Sequence, residues 1–97
     1  METKFEWDPA KAENNLRKHR LSFEIAMRAF SDPFCLVEQN RIKSGEQRWQ
    51  TLGMVDGLVL VLVAHTVRQD DDTEVIRIIS ARRAEPKERR HYEQANR

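Results

Sequence analysis

Six consecutive apolar residues, Leu58-Val59-Leu60-Val61-Leu62-Val63, follow Asp56-Gly57 and constrain what this 97-residue chain can fold into more than any other segment. Their side chains alternate onto two faces, neither of them polar, which is the pattern of a strand covered on both sides. Such a strand belongs in the middle of a sheet, and Asp-Gly before it is the residue pair of a tight hairpin turn. One core usually occupies about 100 to 150 residues, so the expectation is a single domain over residues 1–97.

The cover for that strand has to come from the N-terminal third. Asp8-Pro9 sets an N-cap side chain before a proline at the first helical position, which predicts a helix from about Pro9 to His19. Its apolar positions are sparse, Ala12 and Leu16, so Phe5 and Trp7 in the preceding extended segment are expected to supply bulk there. Ser22 caps a second helix, in which Phe23, Ala26, Met27 and Phe30 recur at the spacing of one buried face. Ser31-Asp32-Pro33 ends it, because proline disfavours helical geometry in the residue before it.

After Pro33 the period becomes two. Phe34 to Gln39 reads as a strand, Lys43-Ser44-Gly45 as a turn, Gln47 to Met54 as a second strand and Leu58 to Thr66 as a third. A polar loop, Arg68 to Thr73, leads into a fourth strand, Glu74 to Ala81. Its three aspartates, Asp70 to Asp72, read as a charged hairpin tip, since adjacent aspartates lack the spaced ligands of a calcium loop. Glu85-Pro86 starts a last helix to about Ala95 with Tyr92 as its only large apolar anchor. The fold class is therefore α+β: a small antiparallel sheet of about four strands, preceded by two helices and followed by one.

The single cysteine, Cys35, excludes an internal disulfide, and the N-terminus lacks the apolar core of a signal peptide. No stretch approaches the roughly 20 apolar residues of a membrane span, so a cytoplasmic protein is expected. The net charge of +1 hides an asymmetry. Ten basic residues face thirteen acidic ones before Arg77, and seven face three from Arg77 onward, giving −3 and +4. Such a basic end can concentrate an anion such as RNA.

Hydrolase motifs, phosphate loops and zinc-ligand spacings are all missing, and no cofactor is implied. What remains is polar side chains at positions that packing alone does not explain. Alternation sets Arg77 among apolar neighbours, where a buried guanidinium needs a carboxylate or an anion. His65 lies on the face of Val59, Val61 and Val63, and Arg48 alternates away from Trp49. If these strands are neighbours, Arg48, His65 and Arg77 line one face with Arg82 and Arg83 at its rim. Such a cluster suits metal-free RNA cleavage: a base takes the 2′-hydroxyl proton and arginines stabilise the charge developing on the phosphorane. His65 is the expected base or acid, with Glu46 as a second candidate. Trp7 and Trp49 are read as core residues before base-stacking ones.

The segments Phe5-Glu6-Trp7-Asp8-Pro9-Ala10-Lys11-Ala12, Lys18-His19, Ser22-Phe23-Glu24, Asp32-Pro33, Gly45-Glu46-Gln47-Arg48 and Arg77-Ile78-Ile79-Ser80-Ala81-Arg82, with Glu88-Arg89 and Tyr92, resemble the BrnT toxin family in order and over nearly the whole chain. The resemblance implies a RelE-like fold and a type II toxin–antitoxin endoribonuclease that inhibits translation. It implies a ribbon-helix-helix antitoxin of the BrnA kind as partner, with operator DNA bound only through that antitoxin. By position it implies Arg48, Arg77, Arg82 and Glu46 in the catalytic set and marks Lys18 and His19, in the turn between the first two helices, as RNA contacts; the basic C-terminal stretch adds Arg83, Lys87 and Arg90 as expected RNA contacts. Two positions depart from the family's pattern. Arg20 stands where glycine commonly follows Lys-His, at a helix end that favours glycine, and His65 stands where tyrosine is common. The alternative reading is a non-catalytic RNA- or protein-binding module with the same fold.

Overall fold

In the computed structural model, which describes residues 2–96 and leaves Met1 and Arg97 outside the described residues, the chain opens with a strand. β1 (Glu2–Glu6) precedes α1 (Pro9–His19), α2 (Phe23–Met27) and a 3-10 turn (Arg28–Ser31). Then follow β2 (Leu36–Lys43), β3 (Glu46–Val55), β4 (Val59–Asp70), β5 (Thr73–Arg83) and α3 (Pro86–Ala95). Five strands, not four, form one sheet in the order β1-β5-β4-β3-β2. The sheet is mixed rather than antiparallel, because β1 runs parallel to β5 with Glu6 beside Arg77. That pairing joins segments some seventy residues apart, and no local turn signal announces it.

β4 is the central strand, as its apolar run implies, with β3 and β5 antiparallel on either side. Ser44-Gly45 and Asp56-Gly57 turn the chain with positive φ at both residues. The expected polar loop from Arg68 to Thr73 is instead a continuation of both strands: β4 reaches Asp70, β5 begins at Thr73, and Asp71-Asp72 alone makes the turn. Charged residues there extend the hairpin past the core into solvent, so polarity does not end the strands.

The two faces are covered unequally. On one, Leu21, Phe23, Ala26 and Ala29 pack on Val55, Val61, Val63, Ile76, Ile78 and Ala81. Burying Phe23 completely contributes about 1.5–3 kcal/mol. The 3-10 turn lies directly on β3, where a Cβ at Gly53 would meet the Ala29 carbonyl oxygen at 2.3 Å, so only glycine fits beneath it. On the other face α3 rests Tyr92 on Leu52 and Leu60. The Tyr92 hydroxyl donates to Asp32, which also accepts from the Met54 N–H at 2.8 Å.

α1 is attached by an amide more than by apolar contact. Ala12 packs at the core margin with Phe5 and Trp7, while Leu16 is 47% exposed and adds little to the attachment. Asn15, buried, donates to the Ala81 carbonyl at 2.9 Å, accepts from the Ala81 N–H at 3.1 Å and donates to the Leu21 carbonyl at 3.0 Å. Its side chain thus behaves as one residue of an extra strand along β5, beyond the reach of β1. Arg20 closes α1 in the left-handed region, φ 56° and ψ 35°, with its N–H on the Leu16 carbonyl.

Two stability predictions result. Asn15→Ala leaves the Ala81 N–H and C=O buried and unpaired, and urea denaturation should show a loss of about 2–3 kcal/mol. Arg20→Gly removes the left-handed penalty of a side chain, about 1 kcal/mol, and should raise the melting midpoint by about 4–8 °C.

Candidate functional site

Strand pairing decides which side chains share a face. Gln50 lies opposite Ala64, which lies opposite Ser80; Thr66 lies opposite Arg77 and Leu62 opposite Arg82. Alternation places Glu46 and Arg48 with Gln50, and Arg68 with Thr66. In a regular strand Arg77 and Arg82, five residues apart, would point to opposite sides. The register jumps between Ala64 and His65, leaving Ile79 as an extra residue in β5, and this bulge returns both arginines to the same side. Glu6 of β1 joins them through its pairing with Arg77.

The outcome is an open sheet face, beyond the edge of α3, that carries four arginines around a floor of Ala64, Thr66 and Ser80. They differ in what they hold. Glu6 takes Arg68 through two hydrogen bonds, 2.7 and 3.1 Å, and Arg77 at 3.4 Å. The Arg68 guanidinium, with Arg77 behind it, keeps the Glu6 carboxyl below the usual carboxylate range. Arg82 grips Glu88 at 2.9 and 2.8 Å and Glu85 at 3.3 Å, while Glu88 also accepts the Glu85 N–H and caps α3. These contacts hold the Glu88 carboxyl low in turn. Arg48 differs: its Nε is buried without a hydrogen-bond partner, and among the described residues it makes no ion pair.

Lys18 and His19, at the end of α1, reach this face from the β5 edge. With Gln50, Leu62, Ala64, Ser80 and Arg82 they bound a cleft of about 390 Å³, and the same two residues open onto a smaller one with Lys11, Asn14 and Ser80. The four sequence-derived residues Arg48, Arg77, Arg82 and Glu46 therefore share one side of the sheet, with Lys18 and His19 at its edge. Lys87 and Arg90 are exposed on α3.

Two expected members are not there. Trp49 pairs with His65, so His65 sits on the helix-covered face and not beside Arg48. It is 1% exposed, bonded through Nε2 to Thr51 Oγ1 at 2.8 Å, and packed edge-on against Phe30. Burial pushes its pKa down to about 4, with the Thr66 backbone opposing that only in part. Arg83 alternates away from Arg82 and lies across from Val61; its guanidinium donates to the His19 carbonyl at 3.3 Å, at the negative end of α1. Trp7 is a packing residue, edge-on to Phe23. Sequence reasoning missed Glu6, whose place depends on the long-range β1–β5 pairing, and Gln50, which two-residue spacing from Arg48 would have revealed. Among the described residues no three His, Cys, Asp or Glu side chains converge as a metal site, and no helix is long and apolar enough to cross a membrane.

A family model described as ribonuclease toxin, BrnT, of type II toxin-antitoxin system matches residues 7–88. Among solved structures, the crystal structure of the Brucella abortus ribonuclease toxin BrnT is similar to this chain with a TM-score of 0.60 and 22% identity, over 88% of this chain and 99% of that one. No curated protein matches the chain in sequence.

The buried imidazole yields a pH prediction. The folded pKa of about 4 lies below the ordinary 6.5, so the unfolded chain binds the proton more tightly and stability falls as pH drops from about 6.5 toward 4. Over that window the loss is about 3 kcal/mol. In urea melts between pH 6.5 and 4.5, above the range where Glu6 and Glu88 protonate, His65→Phe should flatten the decline.

Proposed function

The chain belongs to the BrnT family of ribonuclease toxins of type II toxin–antitoxin systems, and from that premise we propose that it cleaves RNA without a metal ion on the open arginine face. The observation that carries the reading is Arg48, a guanidinium on that face with a buried Nε and no carboxylate of its own. A buried N–H without an acceptor is costly, and a guanidinium that no carboxylate holds is free to take a phosphate oxygen. Arg77, held in place by Glu6, lies across Thr66 from it.

In this mechanism the RNA backbone crosses the face at Thr66, between Arg48 and Arg77. The 2′-oxygen gives its proton to a base and attacks the adjacent phosphorus, the bond to the 5′-oxygen breaks, and that oxygen takes up a proton. Arg48 and Arg77 hold the phosphorane's extra negative charge, the role in which fixed donors contribute most. His65, buried on the far side, is replaced as proton-transfer group by His19, the imidazole that shares the cleft with Arg82. Glu46, exposed at the start of β3, is the second candidate. Arg82 is read as holding α3 while its remaining edge faces the cleft, and Lys18, Lys87 and Arg90 as guiding the strand.

For the wider biology we propose the following by likeness to the family. The span 1–97 acts as one RelE-like toxin domain in the cytoplasm, arrests translation by destroying RNA, and is neutralised by a BrnA-like ribbon-helix-helix antitoxin. Operator DNA is bound through that antitoxin alone.

Purified protein incubated with RNA in EDTA should cleave it. Arg48→Ala and Arg77→Ala should each lower the rate about 10²–10³-fold, and His19→Ala about 10²–10⁴-fold, while Arg83→Ala stays within a few-fold of the parent. Loss of cleavage in EDTA would overturn the metal-free chemistry, and undiminished Arg48→Ala and Arg77→Ala variants would overturn the arginine assignment. RNA that is bound tightly but left intact would identify a non-catalytic module.

A further inference from the structure

The middle of the open face carries a feature that phosphate chemistry does not use. Gln50, Ala64 and Ser80 lie in one row across β3, β4 and β5. Ala64 is the low point of the row, and the cleft of about 390 Å³ opens above it. Leu62 and Arg82 bound it toward α3; Thr66 and the Arg48–Arg77 pair lie one step away in the other direction.

Gln50 is half-buried at the wall of this cleft, and among the described residues its carboxamide makes no hydrogen bond. A carboxamide is a paired donor and acceptor in one plane. It matches the N6 amino group and N7 of adenine in a bidentate contact, a donor beside an acceptor that the corresponding edges of the other three bases lack. Single-stranded RNA is read in this way, through bases splayed out of their stack and bonded along their edges.

Resting on the ribonuclease reading above, we propose that the cleft over Ala64 receives one base of the RNA beside the scissile phosphate, and that Gln50 reads it as adenine. The neighbouring groups fit the assignment. Ser80 offers a hydroxyl opposite Gln50, Lys18 stands where the strand enters, and Ala64 leaves room that a larger residue would fill.

The test maps cut sites in an RNA pool with a randomised segment. The parent should favour adenine at one fixed position relative to the cut by about five- to 150-fold, the discrimination of a bidentate pair. Gln50→Glu offers two acceptors in place of a donor and an acceptor. One acceptor still meets the adenine amino group but the other faces N7, so the preference for adenine at that position should fall to near parity. Gln50→Leu should erase the preference. A parent that cuts without base preference, or a Gln50→Glu profile identical to the parent's, would overturn the assignment and leave the ribonuclease reading standing. Binding of short all-2′-deoxy oligonucleotides, which lack the attacking hydroxyl, gives the same comparison without cleavage. An adenine preference in the parent that is lost in Gln50→Glu would support base reading even if the parent cleaved nothing, and equal affinities for all bases in the parent would overturn it.

Discussion

A single buried carboxamide, that of Asn15, joins the helical layer to the sheet in register. Its two bonds to Ala81 reproduce the pairing of a strand, so β5 keeps a satisfied edge where β1 has already ended. The third, to the Leu21 carbonyl, fixes the turn between α1 and α2. Because α1 buries little apolar surface, these bonds set its position along β5, and with it the place where Lys18 and His19 arrive at the open face. An apolar anchor would allow the helix to slide; an amide that must meet one N–H and one C=O does not.

Charge on the open face is ordered by pairing rather than by number. Glu6 occupies Arg68 and Arg77, and Glu88 with Glu85 occupies Arg82, which leaves Arg48 as the arginine on that face without a carboxylate among the described residues. Carboxylates beside arginines hold their side chains extended and aimed, and they also lower the attraction of the face for anions at large. The near-neutral total charge of the chain has a local counterpart in these pairs.

Local signals in the sequence were legible where local chemistry decides structure. Asp8-Pro9 and Glu85-Pro86 mark the starts of α1 and α3, and Ser44-Gly45 and Asp56-Gly57 mark hairpin turns, because caps and positive φ depend on a few adjacent residues. The apolar run at Leu58 marked the central strand for the same reason. Parallel β1 was not legible, since its partner lies at the other end of the chain. The arginine face was half legible. Alternation correctly separated Arg48 from Trp49 and set His65 with Val61 and Val63. The error lay between strands, where Trp49 pairs with His65 and so removes the imidazole from the arginine side. Pairing register is a tertiary property, and a shift of one residue exchanges the faces.

The unpaired Ile79 in β5 has an evolutionary corollary. With it, Arg77 and Arg82 project together; removal of one residue between them would send one guanidinium into the packed layer beneath the helices. The segment is therefore open to change in the identity of its side chains and closed to change in their count. A lineage altering this hairpin by insertion or deletion has room to do so only in steps of two, or at the Asp71-Asp72 tip, where the chain has left both faces behind.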